Sequence, residues 1–276
     1  MKLKIYGCRG SALFSRNSYY GGNTSCMVLE SGSGMIILDA GSGLMKLDAE
    51  LREKFPDYPI NLPFKPNILI SHLHLDHILG LTGFTPILTE GADTRIFTCT
   101  RDERPLKEQV FGIFTPPYWP LDMASTAYAE CVAISSTFKV DGFTVTPFSA
   151  NHSDNTSSFY ITDGQKSLVY LLDHEMSQQG ESAALLKHCR NADLVVFDSS
   201  YLLKDYPKKR GWGHSTVEDG IKLAEKSHCK RMVFAHYGQE YSDCDLDKLK
   251  EIVPNDGRFI FAYEGLETNY MKTSGN

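Results

Sequence analysis

Three imidazoles and a carboxylate crowd into Ser71-His72-Leu73-His74-Leu75-Asp76-His77, directly behind the apolar run Asn67 to Ile70. Alternate residues of an extended segment point the same way, so His72 and His74 converge on one point. A helix or turn beginning at Leu75 swings Asp76 and His77 toward a second point nearby. Imidazole and carboxylate are the ligands that borderline divalent ions such as Zn²⁺ take at neutral pH. A merely solvated loop has no need to gather three of the chain's nine histidines behind one strand end. The pattern therefore points to a metal site directly behind this strand.

The chain has 276 residues, enough to bury a core without disulfide staples, and reads as one domain over 1–276. Its seven cysteines are irregularly spaced with no C-x-x-C pair, which predicts mostly buried thiols in a reducing cytoplasm. The net charge of −6 and the lack of any basic run longer than Lys208-Lys209-Arg210 disfavour capture of extended DNA or RNA. A small anionic substrate is not excluded. No stretch approaches the roughly 20 apolar residues of a membrane helix.

Strands are expected at Lys4 to Tyr6, Cys26 to Leu29, Met35 to Leu38, Asn67 to Ile70 and Thr94 to Cys99. A second β-rich block follows at Phe143 to Phe148, Ser157 to Ile161 and Leu168 to Leu172. Helices are expected at Gly43 to Lys54, Arg104 to Phe111, Gln178 to His188, Ser215 to Ser227 and Leu246 to Ile252. They alternate near the end with strands at Leu194 to Phe197, Met232 to Ala235 and Arg258 to Ala262. Ser215 and Glu218 read as a capping box, with Val217, Ile221 and Ala224 on one face. The irregular stretch from Thr85 to Ser136 reads as an excursion at a site's rim. This is a layered α/β pattern with helices outside sheets.

The His72-x-His74-x-Asp76-His77 motif resembles the signature of the metallo-β-lactamase-fold hydrolases. That resemblance implies a four-layer αββα sandwich whose further ligands close later apolar runs. His152, Asp173 and His236 stand at such places. By the resemblance, His72, His74 and His152 hold one divalent ion, Asp76, His77 and His236 the other, and Asp173 bridges them. Zinc is expected first, with manganese or iron as alternatives.

Gly211-Trp212-Gly213-His214-Ser215-Thr216 resembles the G-H-S/T element of that family's phosphodiesterase branch, which includes ribonuclease Z and PhnP. There a non-ligand histidine at a helix start reaches the phosphate as general acid or charge stabiliser. The spacings from His152 to Asp173 and from His214 to His236 also match. The implied function is hydrolysis of small, cyclic or short nucleotide phosphodiesters by a metal-bridging hydroxide, with His214 and Asp76 as catalytic residues. The alternatives are a thioester, lactone or lactam hydrolase resembling glyoxalase II, and a non-catalytic metal-binding module. The long arm that ribonuclease Z uses to hold tRNA is missing, so a small diester is expected as partner rather than tRNA. The family also implies a homodimer as an option.

Other residues carry weaker expectations. The loops Gly7 to Ser11 and Asp39 to Gly43 resemble family loops on the active-site side, and Arg9 reads either as a phosphate contact or as a surface arginine. Asn23 reads as a turn residue, and His174 as pointing away from Asp173. His188 and His228 read as surface residues near helix ends. Phe114, Tyr118 and Trp119 either stack on a base or pack their loop down.

Overall fold

Neighbouring residues along the N-terminal strands enter two different cores. Met27, Leu29, Ile36 and Leu38 join one apolar cluster, whereas Cys26, Val28, Met35 and Ile37 join another. This is the period-two alternation of a sheet covered on both faces. The computed structural model describes residues 1–13, 18–32, 34–153, 155–177 and 181–269. Among them the strands are β1 (Lys2–Gly7), β2 (Cys26–Ser31), β3 (Gly34–Leu38), β4 (Asn67–Leu69), β5 (Arg95–Thr98), β6 (Glu130–Ala133), β7 (Phe138–Val140), β8 (Phe143–Ser149), β9 (Ser157–Thr162), β10 (Ser167–Leu171), β11 (Leu194–Asp198), β12 (Met232–Ala235), β13 (Phe259–Phe261) and β14 (Glu267–Asn269).

They form two seven-stranded sheets, β14-β1-β2-β3-β4-β5-β6 and β13-β12-β11-β10-β9-β8-β7. The sheets share one plan. The first runs antiparallel from β14 to β3 and parallel from β3 to β6. The second runs antiparallel from β7 to β10 and parallel from β10 to β13. Inner-face residues of both sheets, such as Leu3, Ile5, Val145 and Ile161, meet in one core. Helix Gly43–Lys54 covers the outer face of the first sheet through Leu44, Leu47 and Leu51. Helix Val217–Ser227 packs against the second through Val217, Leu223 and Ala224. The result is the expected α/β sandwich of two mixed sheets between helices. No helix among the described residues is long and apolar enough to cross a membrane.

Several boundaries differ from the sequence expectation. The long helix caps on Thr216, whose hydroxyl accepts from Asp219 N, and not on Ser215. Ser215 Oγ instead donates to His174 O and accepts from Met176 N, so a tertiary contact takes the nearer hydroxyl away from the helix. The helix expected from Leu246 starts at Asp243, behind a Ser242–Asp245 capping box. The helix expected from Gln178 runs over Ala183–Cys189 with Ser182 as its cap, and positions 178–180 of that expectation lie outside the described residues. Ser33, in the turn expected before β3, also lies outside them. The excursion from Thr85 to Ser136 is more ordered than its sequence suggests, since it supplies β5 and β6 to the first sheet. Phe114 is buried and edge-on to Trp119, which packs against the outer core, so these two hold the loop down. Tyr118 is 83% exposed.

Candidate metal centre

Parallel strands deliver their C-terminal ends to one edge of each sheet, the usual place for a site in an open α/β sheet. Asp39 follows β3, Ser71 to His77 follow β4, Asp173 follows β10, and His236 follows β12. The turn after β4 forms as expected. His74 is extended, and a short helix, Leu75–Ile78, redirects Asp76 and His77. Asp39, Asp173 and His236 all adopt left-handed backbone, with φ of 57°, 52° and 65°. Non-glycine residues rarely sit there unless their surroundings fix them.

The structure gathers all seven residues expected as ligands. One ring nitrogen from each of His72, His74 and His152 forms one group of donor atoms, and atoms of Asp76, His77 and His236 form a second. Asp173 lies between the groups. Its Oδ1 is 3.8 Å from His72 Nε2 and 3.6 Å from His152 Nε2, while its Oδ2 is 3.0 Å from His77 Nε2 and 3.2 Å from His236 Nε2. Asp76 Oδ2 is 3.3 Å from both His77 Nε2 and His236 Nε2, and accepts a hydrogen bond from Ser11 N at 2.7 Å.

The far side of each imidazole is fixed, which aims the other nitrogen inward. His77 Nδ1 donates to Asp39 Oδ2 at 2.7 Å, and that carboxylate also accepts from Tyr170 Oη, Ser71 Oγ and Ser71 N. His152 Nδ1 donates to Gly213 O at 2.9 Å. His236 Nδ1 lies 2.9 Å from Ser200 Oγ, and His74 Nε2 lies 3.2 Å from Ser153 Oγ. Gly10 and Gly213 allow the close approach. A Cβ on Gly10 would sit 2.5 Å from the His236 ring, and one on Gly213 would sit 2.0 Å from His152 Nδ1.

Burial holds His72, His74 and His152 below the ordinary imidazole value, in the neutral form that ligates. Burial also disfavours charge on His77 and His236, but the carboxylates around them, Asp173 foremost, hold both above the ordinary value. Asp76 and Asp173 are pushed up by burial, yet His77 and His236 hold both well below the usual carboxylate range. In the protein alone, protons on His77 and His236 balance charge that cations would otherwise balance. Among the described residues, His72 Nε2 is buried without a hydrogen-bond partner, and Asp173 Oδ2 has only the His77 and His236 rings within reach, His77 Nε2 at 3.0 Å. Converging imidazole and carboxylate atoms of this kind fit divalent cations.

His214 stands at the edge of this cluster. Its ring stacks on His236 with centroids 5.2 Å apart and lies 5.0 Å from that of His152. Asp198, at the end of β11, accepts from His214 Nδ1 at 2.8 Å. Burial opposes a charged His214, but the Asp198 carboxylate overcomes it and raises the imidazole to about 9. The Gly211–Gly213 segment is anchored by Glu175, which accepts from Gly211 N, Gly213 N and Tyr206 Oη.

Sequence reasoning missed Asp39, Asp198, Ser200 and Glu175. Asp198 closes the apolar run Leu194 to Phe197, which is the same signal that marks Asp173 and His236. Arg9 is neither a phosphate contact nor a surface residue. It is fully buried and donates to Gly21 O, Tyr241 O and Ser18 Oγ, with Asp243 3.7 Å away. Asn23 does more than turn the chain, because its carbonyl accepts from Cys8 N and Arg9 N. His174 is buried, with Nδ1 accepting from Asn151 N and Nε2 3.2 Å from Glu181 Oε2, whereas His188 stacks on Phe148 and is not the free surface residue expected. His228 is exposed, as expected, and ends its helix in left-handed backbone.

Two sheets sandwiched between helices, with histidine and aspartate donors at the strand ends, define the architecture of metal-dependent hydrolases of the metallo-β-lactamase fold. The profile of the beta-lactamase superfamily domain matches residues 35–237, and the chain belongs to that family. Ribonuclease Z of Bradyrhizobium diazoefficiens is 20% identical to it, over 68% of this chain and 77% of that protein. The metallo-beta-lactamase fold protein YhfI of Bacillus subtilis superposes with a TM-score of 0.71 at 19% identity, covering 97% of this chain and 98% of its own. A diphosphatase of the PhnP family superposes with a TM-score of 0.68 at 17% identity, covering 98% of each.

Proposed function

We propose that this protein hydrolyses phosphodiesters, with small, cyclic or short nucleotide diesters as its substrates. The observation that carries the reading is the His214–Asp198 pair beside the donor cluster. A histidine held cationic, and not needed to complete either donor group, suits a substrate that brings negative charge to the site. An uncharged thioester or lactone has no use for it.

In this reading His72, His74 and His152 would hold one divalent ion and Asp76, His77 and His236 a second, with Asp173, which lies between the two groups, contributing to both. The imidazole-rich set suits zinc, with manganese or iron as alternatives. When bound, two such ions supply Lewis acidity toward the phosphate oxygens and acidify a water at neutral pH. The chain's own groups do the rest. His214 keeps Nδ1 on Asp198, so Nε2 is left to donate to a phosphoryl or leaving oxygen. Asp76, held ionised, accepts a hydrogen bond from the attacking water and orients it. Asp39 and the Gly213 carbonyl keep the rings of His77 and His152 aligned.

The test is hydrolysis of bis(p-nitrophenyl) phosphate beside a p-nitrophenyl carboxylic ester and a thioester, with metal content measured on each preparation. Cleavage of the diester that His214→Ala abolishes while keeping about two metals per chain supports the proposal. Turnover of only the carboxylic ester or thioester, with His214→Ala neutral, overturns it in favour of carbon-ester chemistry.

A further inference from the structure

A cavity of about 420 Å³ opens directly beside His152. It lies across the junction of the two sheets. Cys99 and Thr100 come from the end of β5, Ser135 from the segment after β6, and Ser149, Thr156 and Ser157 from the facing ends of β8 and β9. We infer that this cavity is the subsite for an uncharged, nucleoside-sized substituent of the substrate; the inference rests on the phosphodiesterase reading and specifies its substrate class.

Position is the first argument. His152 is both a wall of the cavity and a member of the donor cluster, so a diester with its phosphorus at the cluster has a substituent within reach of this space. A larger cavity of about 500 Å³, between the Pro59–Lys65 segment and Asp93, shares no residue with the cluster.

Chemistry is the second. Apart from His152, which belongs to the donor cluster, no described residue lining the cavity is acidic or basic. Hydroxyls dominate the wall, with Ile134 as an apolar surface. That mixture suits a sugar or base and suits a hydrocarbon chain poorly. The volume falls in the roughly 300–1,000 Å³ range of small-molecule sites.

The third argument is order. Cys99 Sγ lies 3.0 Å from Ser157 Oγ, Thr156 Oγ1 donates to Ser153 O, and Ser157 N donates to Ser71 O at 3.0 Å. The floor is therefore tied to the residue preceding His72, and a substituent seated on it is registered against the cluster without rearrangement.

The experiment compares two diesters, thymidine 5′-(p-nitrophenyl phosphate) and methyl p-nitrophenyl phosphate, on wild type and Ser135→Trp. Ser135 is exposed, so an indole there narrows the mouth without entering the core. The expected result is a loss of about tenfold or more in kcat/KM for the thymidine ester, with less than a twofold change for the methyl ester. Equal losses on both esters, or no loss on either, overturn the subsite.

A second readout does not depend on turnover. Alkylation of Cys99 by iodoacetamide is followed by peptide mapping with and without thymidine 5′-monophosphate, using exposed Cys244 as internal control. Slower labelling of Cys99 alone supports the subsite. Equal labelling with and without nucleotide at millimolar concentration overturns it. If wild type cleaves neither diester, the phosphodiesterase reading fails, and the labelling result still decides whether the cavity takes a nucleotide.

Discussion

The His214 imidazole is clamped by Asp198, whose Oδ2 lies 2.8 Å from Nδ1, and the same carboxylate accepts backbone N–H groups of Asp173, Ser200 and Ser215. One buried carboxylate thus registers the loop after β10, its own loop after β11 and the approach to helix Val217–Ser227 against one ring. In the metal-free protein His214 should titrate near pH 9, remaining charged below that value and neutral above it. Asp198→Asn removes the largest compensating charge while burial, Asp173 and Asp76 remain, so the titration should fall from about 9 toward the ordinary value. NMR of the imidazole reports both. Bound cations lower the value further, so the alkaline limb of kcat in the loaded protein should lie below pH 9. Asp198→Asn should cost about 10–100-fold in kcat, as loss of an orienting partner does.

Gly213 sets a second test of alignment. It has φ of 85°, and its carbonyl receives His152 Nδ1. Gly213→Ala adds backbone strain of about 1–3 kcal/mol and drives a methyl into the His152 ring. Metal affinity should fall about 10–100-fold. Gly211→Ala, also at positive φ but with open space around its Cβ position, should bear the strain alone and keep its metal. Equilibrium dialysis against a chelator series separates the two variants.

His72, His74, Asp76 and His77 were legible from their own crowding behind one strand, and His152, Asp173 and His236 through the family resemblance, which implies a histidine or aspartate just past a later apolar run. Asp39 follows Met35 to Leu38 and Asp198 follows Leu194 to Phe197 in the same way, so local pattern alone does not separate the ligand set from the carboxylates that orient its imidazoles. Other features were undecidable from local pattern. Ser215-Thr216-Val217-Glu218-Asp219 contains two overlapping capping boxes, and only the distant carbonyl of His174 settles which hydroxyl caps the helix. The short strands β6, β7 and β14 have little pattern of their own and exist through their sheet partners. Arg9 looks like any loop arginine until the backbone carbonyls of Gly21 and Tyr241 close on it.

That burial of Arg9 separates stability from chemistry. Arg9→Met leaves several buried carbonyls and the Ser18–Asp243 pair without their donor, at a cost of about 3–5 kcal/mol. Denaturant unfolding should show that loss directly. At a temperature where the variant is still folded, KM for a diester should stay within about twofold of wild type. A large KM rise with unchanged stability would restore Arg9 as a phosphate contact.

Glu264 ties the same region to the pH of the solution. It accepts from Gly22 N, Asn23 N and Asn23 Nδ2, and pairs with Lys46 at 3.0 Å. Asn23 O in turn receives Cys8 N and Arg9 N, so Glu264 helps to hold the loop that presents Ser11 N to Asp76. Burial raises this carboxyl, but the Asn23 hydrogen bond and Lys46 outweigh it and set the folded value below the ordinary 4.5. A depressed carboxylate contributes its full stability above the unfolded value and loses it as pH falls through the folded one. The contribution should therefore be intact at pH 7 and should drain away below about pH 4.5. Glu264→Gln should cost about 1–3 kcal/mol at pH 7, the range for a hydrogen bond to a charged group. Below pH 4 the gap between variant and wild type should narrow. Urea unfolding at pH 7, 5 and 3.5 measures that gap; a constant difference across the three would show that Glu264 acts through packing and not through its charge.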